Sequence, residues 1–127
     1  MDILFLIGRI LFGGFFIMAG LNHFAKMGMM AGYAASKGVM APKASVLVTG
    51  LMLVFGGVGM LGGFLIPWAV LSLSLFLITA ALKFHDFWNV QDPQQKMAQM
   101  LFFLRNIALT GAALMMLAIP QPWVMSL

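Results

Sequence analysis

The sequence predicts an all-α membrane protein, a four-transmembrane-helix bundle with a short interfacial helix between helices 1 and 2. The first observation is composition, because 63% of the 127 residues are hydrophobic and only 8% are charged. A soluble domain carries about 25% charged residues, since its surface faces water. The second observation is that the apolar residues form four stretches long enough to cross a bilayer. Lipid is therefore the expected solvent for most of the surface.

The four apolar stretches define the predicted spans. A hydrocarbon core about 30 Å thick requires roughly 20 apolar residues in a helix. Proline is favoured in the first turn of a helix and ends a helix that it follows, which indicates a start at Pro67 and a stop at Pro120. The predicted spans are residues 3–24, 44–61, 67–88 and 97–119. A chain of this length holds one domain, which we predict to cover residues 1–127.

The connections between spans carry further information. Gly62 and Gly63 precede Pro67 and predict a tight turn, so the second and third spans should be antiparallel neighbours. Residues 27–38 are too few to span, and a short interfacial helix ending at Gly38 is favoured over an irregular loop. Tryptophans fall close to predicted span ends, where their rings favour the headgroup region. They are Trp68, Trp88 and Trp123.

The lysines predict the orientation in the membrane. All five lysines lie in or beside the first and third connections, at Lys26, Lys37, Lys43, Lys83 and Lys96. Because cytoplasmic loops are enriched in basic residues, these connections are expected in the cytoplasm and both termini in the periplasm. The net charge of +4 forms no basic stripe, so nucleic acid is not an expected partner.

A polar stripe runs along the first predicted span. Its members recur at helical spacing and should form the packed, inward face of that helix. They are Arg9, Gly13, Phe16, Gly20 and His23. Since Arg9 lies near the outer end and helical side chains lean towards the N-terminus, we expect it to reach the outer headgroups without a chemical role.

The predicted cytoplasmic end gathers the other ionisable residues. His23 and His85 end the first and third spans, while Arg105 lies about 12 Å into the fourth at 1.5 Å per residue. Arg105 at this depth requires a partner or a wet cavity. For Asp86 the expected structural partner is Arg105 or Lys83, and in a ligand site Asp86 is expected to orient His85. The predicted binding site comprises His23, His85, Asp86, Trp88, Arg105 and Asn106.

These residue types favour a quinone headgroup as ligand. Such a ring needs hydrogen-bond donors for its oxygens, a proton-exchanging group and flanking aromatic side chains near the membrane surface. Bis-histidine haem is a weaker alternative, because both histidines lie at one membrane edge. A metal site is disfavoured, since His85 and Asp86 are adjacent and point about 100° apart on a helix. The absence of cysteine excludes thiolate ligation and thiol redox chemistry.

Two stretches resemble the DoxX family. The first span, GRILFGGFFIMAGLNHF, is similar to the family's opening, and FHDFWN with MLFFLRNIALTGAALMMLA is similar to the family's third and fourth helices. The loop GYAASKGVMAP also resembles the family's short helix before a Gly and Pro turn. The matching positions are Arg9, Gly20, His23, His85, Trp88, Arg105, Asn106 and Gly111. The resemblance implies a four-helix bacterial inner-membrane protein; some members are subunits of thiosulfate:quinone oxidoreductase.

The predicted function is that of a quinone-associated accessory subunit of a membrane redox complex, with a partner protein supplying the other redox centre. The alternative is a non-catalytic membrane scaffold or lipid-binding protein. No stand-alone catalytic motif and no covalent cofactor are predicted. A small-solute transporter is poorly supported, because the chain has no duplicated half. Small residues permit a homo-oligomer, and the glycines considered for its interface are Gly13, Gly56, Gly57 and Gly111.

Overall fold

A computed structural model describes residues 1–127 and is entirely helical. The α-helices are α1 (Asp2–Ala25), α2 (Met27–Ser36), α3 (Pro42–Gly62), α4 (Ile66–Phe84) and α5 (Pro93–Met115). Single 3₁₀ turns follow α4 at Phe87–Asn89 and α5 at Met116–Ala118. Four segments are long and apolar enough to cross a membrane, at 2–25, 42–62, 66–89 and 93–118. The predicted four-span helical bundle is therefore confirmed, and the chain is a multi-pass membrane protein.

The predicted inward face of α1 is confirmed. Arg9, Gly13, Phe16 and Gly20 are buried, while His23 at the end of the helix is half-buried. The two glycines allow α1 to pack directly on α3. A Cβ atom added at Gly13 would lie 2.7 Å from the carbonyl oxygen of Gly57, and one at Gly20 would lie 2.7 Å from that of Gly50. Small residues permit such close approach of helices in lipid.

Three of the four glycines considered for an oligomer interface pack inside the protomer and are not available for such an interface. Gly13 and Gly57 face each other between α1 and α3. Gly56 faces α4, where an added Cβ would lie 2.4 Å from the Cγ of Leu73. Only Gly111 has open space around it.

The first and second connections between the spans have the predicted form. Gly63 ends α3 with a φ of 75°, a left-handed conformation that glycine adopts without steric cost, and α4 begins at Ile66. The two helices are neighbours across this turn. Residues 27–36 form the predicted short helix, α2, which packs on α3 and buries Ala31 and Ala34.

The spanning helices pack in the order α1, α3, α4, α5. Each helix contacts the next, but no Cα atom of α1 lies within 8 Å of one in α4 or α5. The buried core is formed by side chains of all four spanning helices. Its members include Phe16, Leu53, Met60, Ile66, Leu73, Leu77 and Ala113. The bundle therefore lacks close backbone contact between α1 and α5, and we call the gap between these two helices the open seam.

Arg9 does not reach the headgroups, so the prediction for this residue is wrong. Its side chain is only 2% exposed. The guanidinium donates hydrogen bonds to the carbonyls of Met60 (3.3 Å) and Leu61 (2.7 Å) at the end of α3. It also donates to the carbonyls of Val124 and Met125 in the C-terminal segment. The chain after α5 folds back over Arg9, and this return could not be read from helix periodicity.

Trp123 likewise lies in the protein and not at its surface. It is 3% exposed, and its ring packs edge-on against Phe5 with centroids 5.1 Å apart. The Arg9 guanidinium carbon lies 5.6 Å from the centroid of each of these two rings. Trp68 and Trp88, in contrast, are 64% and 49% exposed. Two of the three tryptophans thus remain available to headgroups, whereas Trp123 is buried at the end of the bundle that holds both chain termini.

Candidate functional site

The open seam between α1 and α5 contains a cavity of about 160 Å³. Its walls are apolar, with Phe15 and Phe16 from α1, and Phe76 and Leu77 from α4. Three polar residues also line it, at the end of α4 and on α5: His85, Arg105 and Asn106. Three of the six residues predicted for the binding site therefore meet at one cavity.

The His85 ring is oriented by α5. Its Nδ1 atom lies 2.9 Å from Oε1 of Gln99, and its ring centroid lies 5.4 Å from that of Phe102. An amide oxygen only accepts hydrogen bonds, so Nδ1 carries the proton and donates it to Gln99. The other ring nitrogen, Nε2, then has a free lone pair in a side chain that lines the cavity.

Arg105 is a cation without an acidic partner. Its side chain is exposed and forms no salt bridge, and the Phe102 ring lies 5.0 Å from its guanidinium carbon. The one salt bridge of the protein joins two other residues. Arg105 therefore keeps its hydrogen-bond donors for water, lipid or a ligand.

Asn106 is buried at the contact between α5 and α4. It is 6% exposed and donates from Nδ2 to the carbonyl of Leu77, at 3.3 Å. This bond fixes which way the amide faces and leaves Oδ1 without a partner within the protein. Because Asn106 also lines the cavity, Oδ1 is a second acceptor for a ligand.

Asp86 belongs to a different contact, so neither predicted partner is correct. Its carboxylate accepts a hydrogen bond from Lys37 Nζ at 2.8 Å and one from Asn89 at 3.2 Å. The reason is that α4 ends at Phe84 and α2 brings Lys37 underneath it. The bond to Asp86 raises the pKa of the Lys37 ammonium. This ion pair ties the first connection to the third, and Asp86 does not orient His85.

His23 and Trp88 also lie apart from the cavity. His23 Nδ1 is 3.2 Å from the carbonyl oxygen of Val46 and 3.1 Å from Oγ1 of Thr49, so the ring is bound to α3. The centroid of its ring lies 5.8 Å from that of Phe76, a residue that lines the cavity. Trp88 packs against Phe103 instead. Of the six residues predicted for the site, His23, Asp86 and Trp88 therefore do not line this cavity.

Gln99 was not predicted as part of the site. It is uncharged, so it carries no signal of membrane cost comparable to that of Arg105. One signal was available: Gln99 and Asn106 are seven residues apart, which places both on one face of α5. On that face Gln99 contacts His85, which directly follows α4, and Asn106 contacts Leu77 within α4.

The chemistry available at the cavity is hydrogen bonding and proton exchange next to an apolar ring-sized space. His85 supplies a proton-exchanging nitrogen, Arg105 supplies a fixed positive charge, and Asn106 supplies an acceptor. No group of three His, Cys, Asp or Glu residues lies close enough together to hold a metal ion. The arrangement suits an aromatic ring that bears polar oxygens.

Comparison with known proteins places the chain in a family. The family model named DoxX matches residues 4–86, which cover α1 to the end of α4 and include His23, His85 and Asp86. The match ends before α5, so it does not reach Arg105 or Asn106. No curated protein and no solved structure matches the chain. Because the match covers well over half of the residues, the chain belongs to the DoxX family.

Proposed function

We propose that this DoxX protein is a quinone-associated accessory subunit of a membrane redox complex. The observation that carries the proposal is the cavity, whose mainly apolar lining includes His85, Arg105 and Asn106. Apolar cavities of about 150 Å³ bind benzene, so a volume of about 160 Å³ suits one six-membered ring. The seam between α1 and α5 gives a hydrophobic ligand a route from the lipid.

Each polar residue then has a role towards the ring. Arg105 donates to one ring oxygen, and His85 exchanges a proton at another oxygen. Asn106 lines the pocket, and Phe15 and Phe76 provide the flanking aromatic surface. We assign the second redox centre to a protein partner, because the chain contributes only binding and proton-exchanging groups at the cavity.

We further propose that the protein lies in the bacterial inner membrane with both termini in the periplasm. The support is that all five lysines lie in or beside the first and third connections. Since the chain has no cysteine, single replacements report topology directly. A membrane-impermeant thiol reagent on intact spheroplasts should label Gln121→Cys and leave Ser36→Cys unlabelled. Labelling in the opposite pattern would place the termini in the cytoplasm.

Quinone binding should depend on Arg105. Arg105→Met should weaken the binding of a short-chain ubiquinone by roughly tenfold to a hundredfold, because a hydrogen bond to a charged group contributes about 1.5–3 kcal/mol. The measurement is titration of purified protein in nanodiscs. Lys96→Met is the matched control, since it removes an exposed charge from the same helix without touching the cavity.

A non-catalytic scaffold or lipid-binding protein is the second candidate. The exposed, unpaired charge of Arg105 favours it, because a lipid phosphate would satisfy that cation. The same titration separates the two functions. Wild-type protein that binds no ubiquinone or menaquinone, and yields none on extraction, would exclude the quinone role. Loss of folding in Arg105→Met without a separable effect on binding would support the structural role.

A further inference from the structure

We infer that Gln99 holds His85 in its Nδ1–H form, and that the cavity thereby selects the reduced, hydroxyl-bearing form of its ring ligand. The inference rests on the proposed role of the cavity in binding a quinone-type ring. Gln99, on α5, is then a positioning residue for His85, and the ligand is a ring whose hydroxyl groups donate hydrogen bonds.

Gln99 determines which ring nitrogen of His85 carries the proton. Nδ1 and Gln99 Oε1 are 2.9 Å apart, and the oxygen only accepts, so the proton resides on Nδ1. Gln99 is half-buried, which limits the competition of water for this bond. In a neutral imidazole the remaining nitrogen is an acceptor. Nε2 is therefore the acceptor of a side chain that lines the cavity.

The polar side chains of the cavity offer more than one hydrogen-bond acceptor. Asn106 uses Nδ2 on the Leu77 carbonyl, which leaves Oδ1 as another acceptor. Two acceptors, on His85 and Asn106, thus belong to side chains that line the cavity, beside the donors of Arg105 and the second N–H of Asn106 Nδ2. A quinone ring presents only acceptor oxygens and would leave both protein acceptors unpaired. A quinol presents two O–H donors, and its hydroxyl oxygens still accept from Arg105.

The preference follows from the cost of unpaired buried acceptors. A site built with hydrogen-bonding groups rejects a ligand that cannot pair them. We expect decyl-ubiquinol to bind roughly tenfold more tightly than decyl-ubiquinone, which corresponds to one additional satisfied bond. The measurement is anaerobic titration of the full chain in nanodiscs with each form.

The tautomer is measured separately, without ligand. The ¹⁵N NMR shifts of the imidazole nitrogens distinguish Nδ1–H from Nε2–H. The chain has only two histidines, so the His85 signals are assigned by their loss in His85→Asn, while His23 serves as an internal reference. The wild-type protein should show Nδ1–H at His85. An Nε2–H form in the wild type would overturn the inference, whatever the binding data.

Two variants of Gln99 test its role. Gln99→Met keeps the volume but removes the acceptor, so Nδ1 should lose its proton to Nε2 and the preference for the quinol should fall to about onefold. Gln99→Glu keeps an acceptor and should retain both the tautomer and the preference. An unchanged tautomer in Gln99→Met would overturn the inference. If His85 shows Nδ1–H but the wild type binds neither form, the ligand preference and the proposed function fail together, while the positioning by Gln99 stands.

Discussion

Arg9→Met is expected to detach the C-terminal segment from the bundle and to lower the free energy of unfolding by roughly 3 kcal/mol or more. The guanidinium is the common donor for the carbonyls of Met60, Leu61, Val124 and Met125. Each buried carbonyl left without a donor costs about 1–3 kcal/mol, and lipid offers no replacement. Methionine occupies a similar volume but donates nothing.

The release of the segment is visible by hydrogen exchange. Deuterium uptake in residues 120–127 should rise strongly in Arg9→Met, while uptake in α3 and α4 changes little. Arg9→Lys should be intermediate, because an ammonium keeps the charge but lacks the five donors of the fork. Lys26→Met is the control for loss of a positive charge, because Lys26 is exposed and lies at the opposite end of α1 from Arg9. Unchanged uptake in Arg9→Met would show that Trp123 and its neighbours hold the segment without Arg9.

Gly13→Leu is expected to separate α1 from α3 and to destabilise the protein by about 3 kcal/mol. An added Cβ would lie 2.7 Å from the Gly57 carbonyl oxygen and 2.9 Å from the Leu61 amide nitrogen. Both are backbone atoms that cannot rotate away, so the helices must move apart. Overpacking of a rigid site typically costs about 1–3 kcal/mol, and here the whole interface is displaced.

The next residue provides a matched control. A Cβ at Gly14 would meet nothing within 4 Å, so Gly14→Leu carries the same substitution into open space. Its effect should be neutral or slightly stabilising, because leucine favours helix more than glycine does. Thermal unfolding of both variants in the same detergent gives the comparison. Equal melting temperatures for the two variants would contradict direct backbone contact at Gly13.

The fold was largely predictable because length and hydropathy fix helices in lipid. The four spans and the short helix α2 were expected, and the inward face of α1 followed from the spacing of Arg9, Gly13 and Gly20. The fate of Arg9 was not predictable in this way. Its partners lie 51 to 116 residues away along the chain, in segments whose return to α1 depends on tertiary packing.

The sequence predicted part of the candidate site, and which helices are neighbours explains why the rest was missed. His85, Arg105 and Asn106 come together because α4 and α5 are adjacent. His23 was expected beside them, but α1 packs on α3 and leaves a seam towards α5, so Val46 and Thr49 bind the imidazole. Periodicity states which residues share a face, but not which helices meet.

The most direct measurement is photolabelling of the full chain in nanodiscs with an azido-quinone, followed by peptide mapping. Quinone binding in the cavity predicts labels on peptides that contain Phe15, Phe76, His85 or Arg105, and excess unlabelled ubiquinone should suppress them. The label should also fall in Arg105→Met and persist in Lys96→Met. Labels spread over lipid-facing residues, with no competition by unlabelled quinone, would contradict a quinone site between α1 and α5.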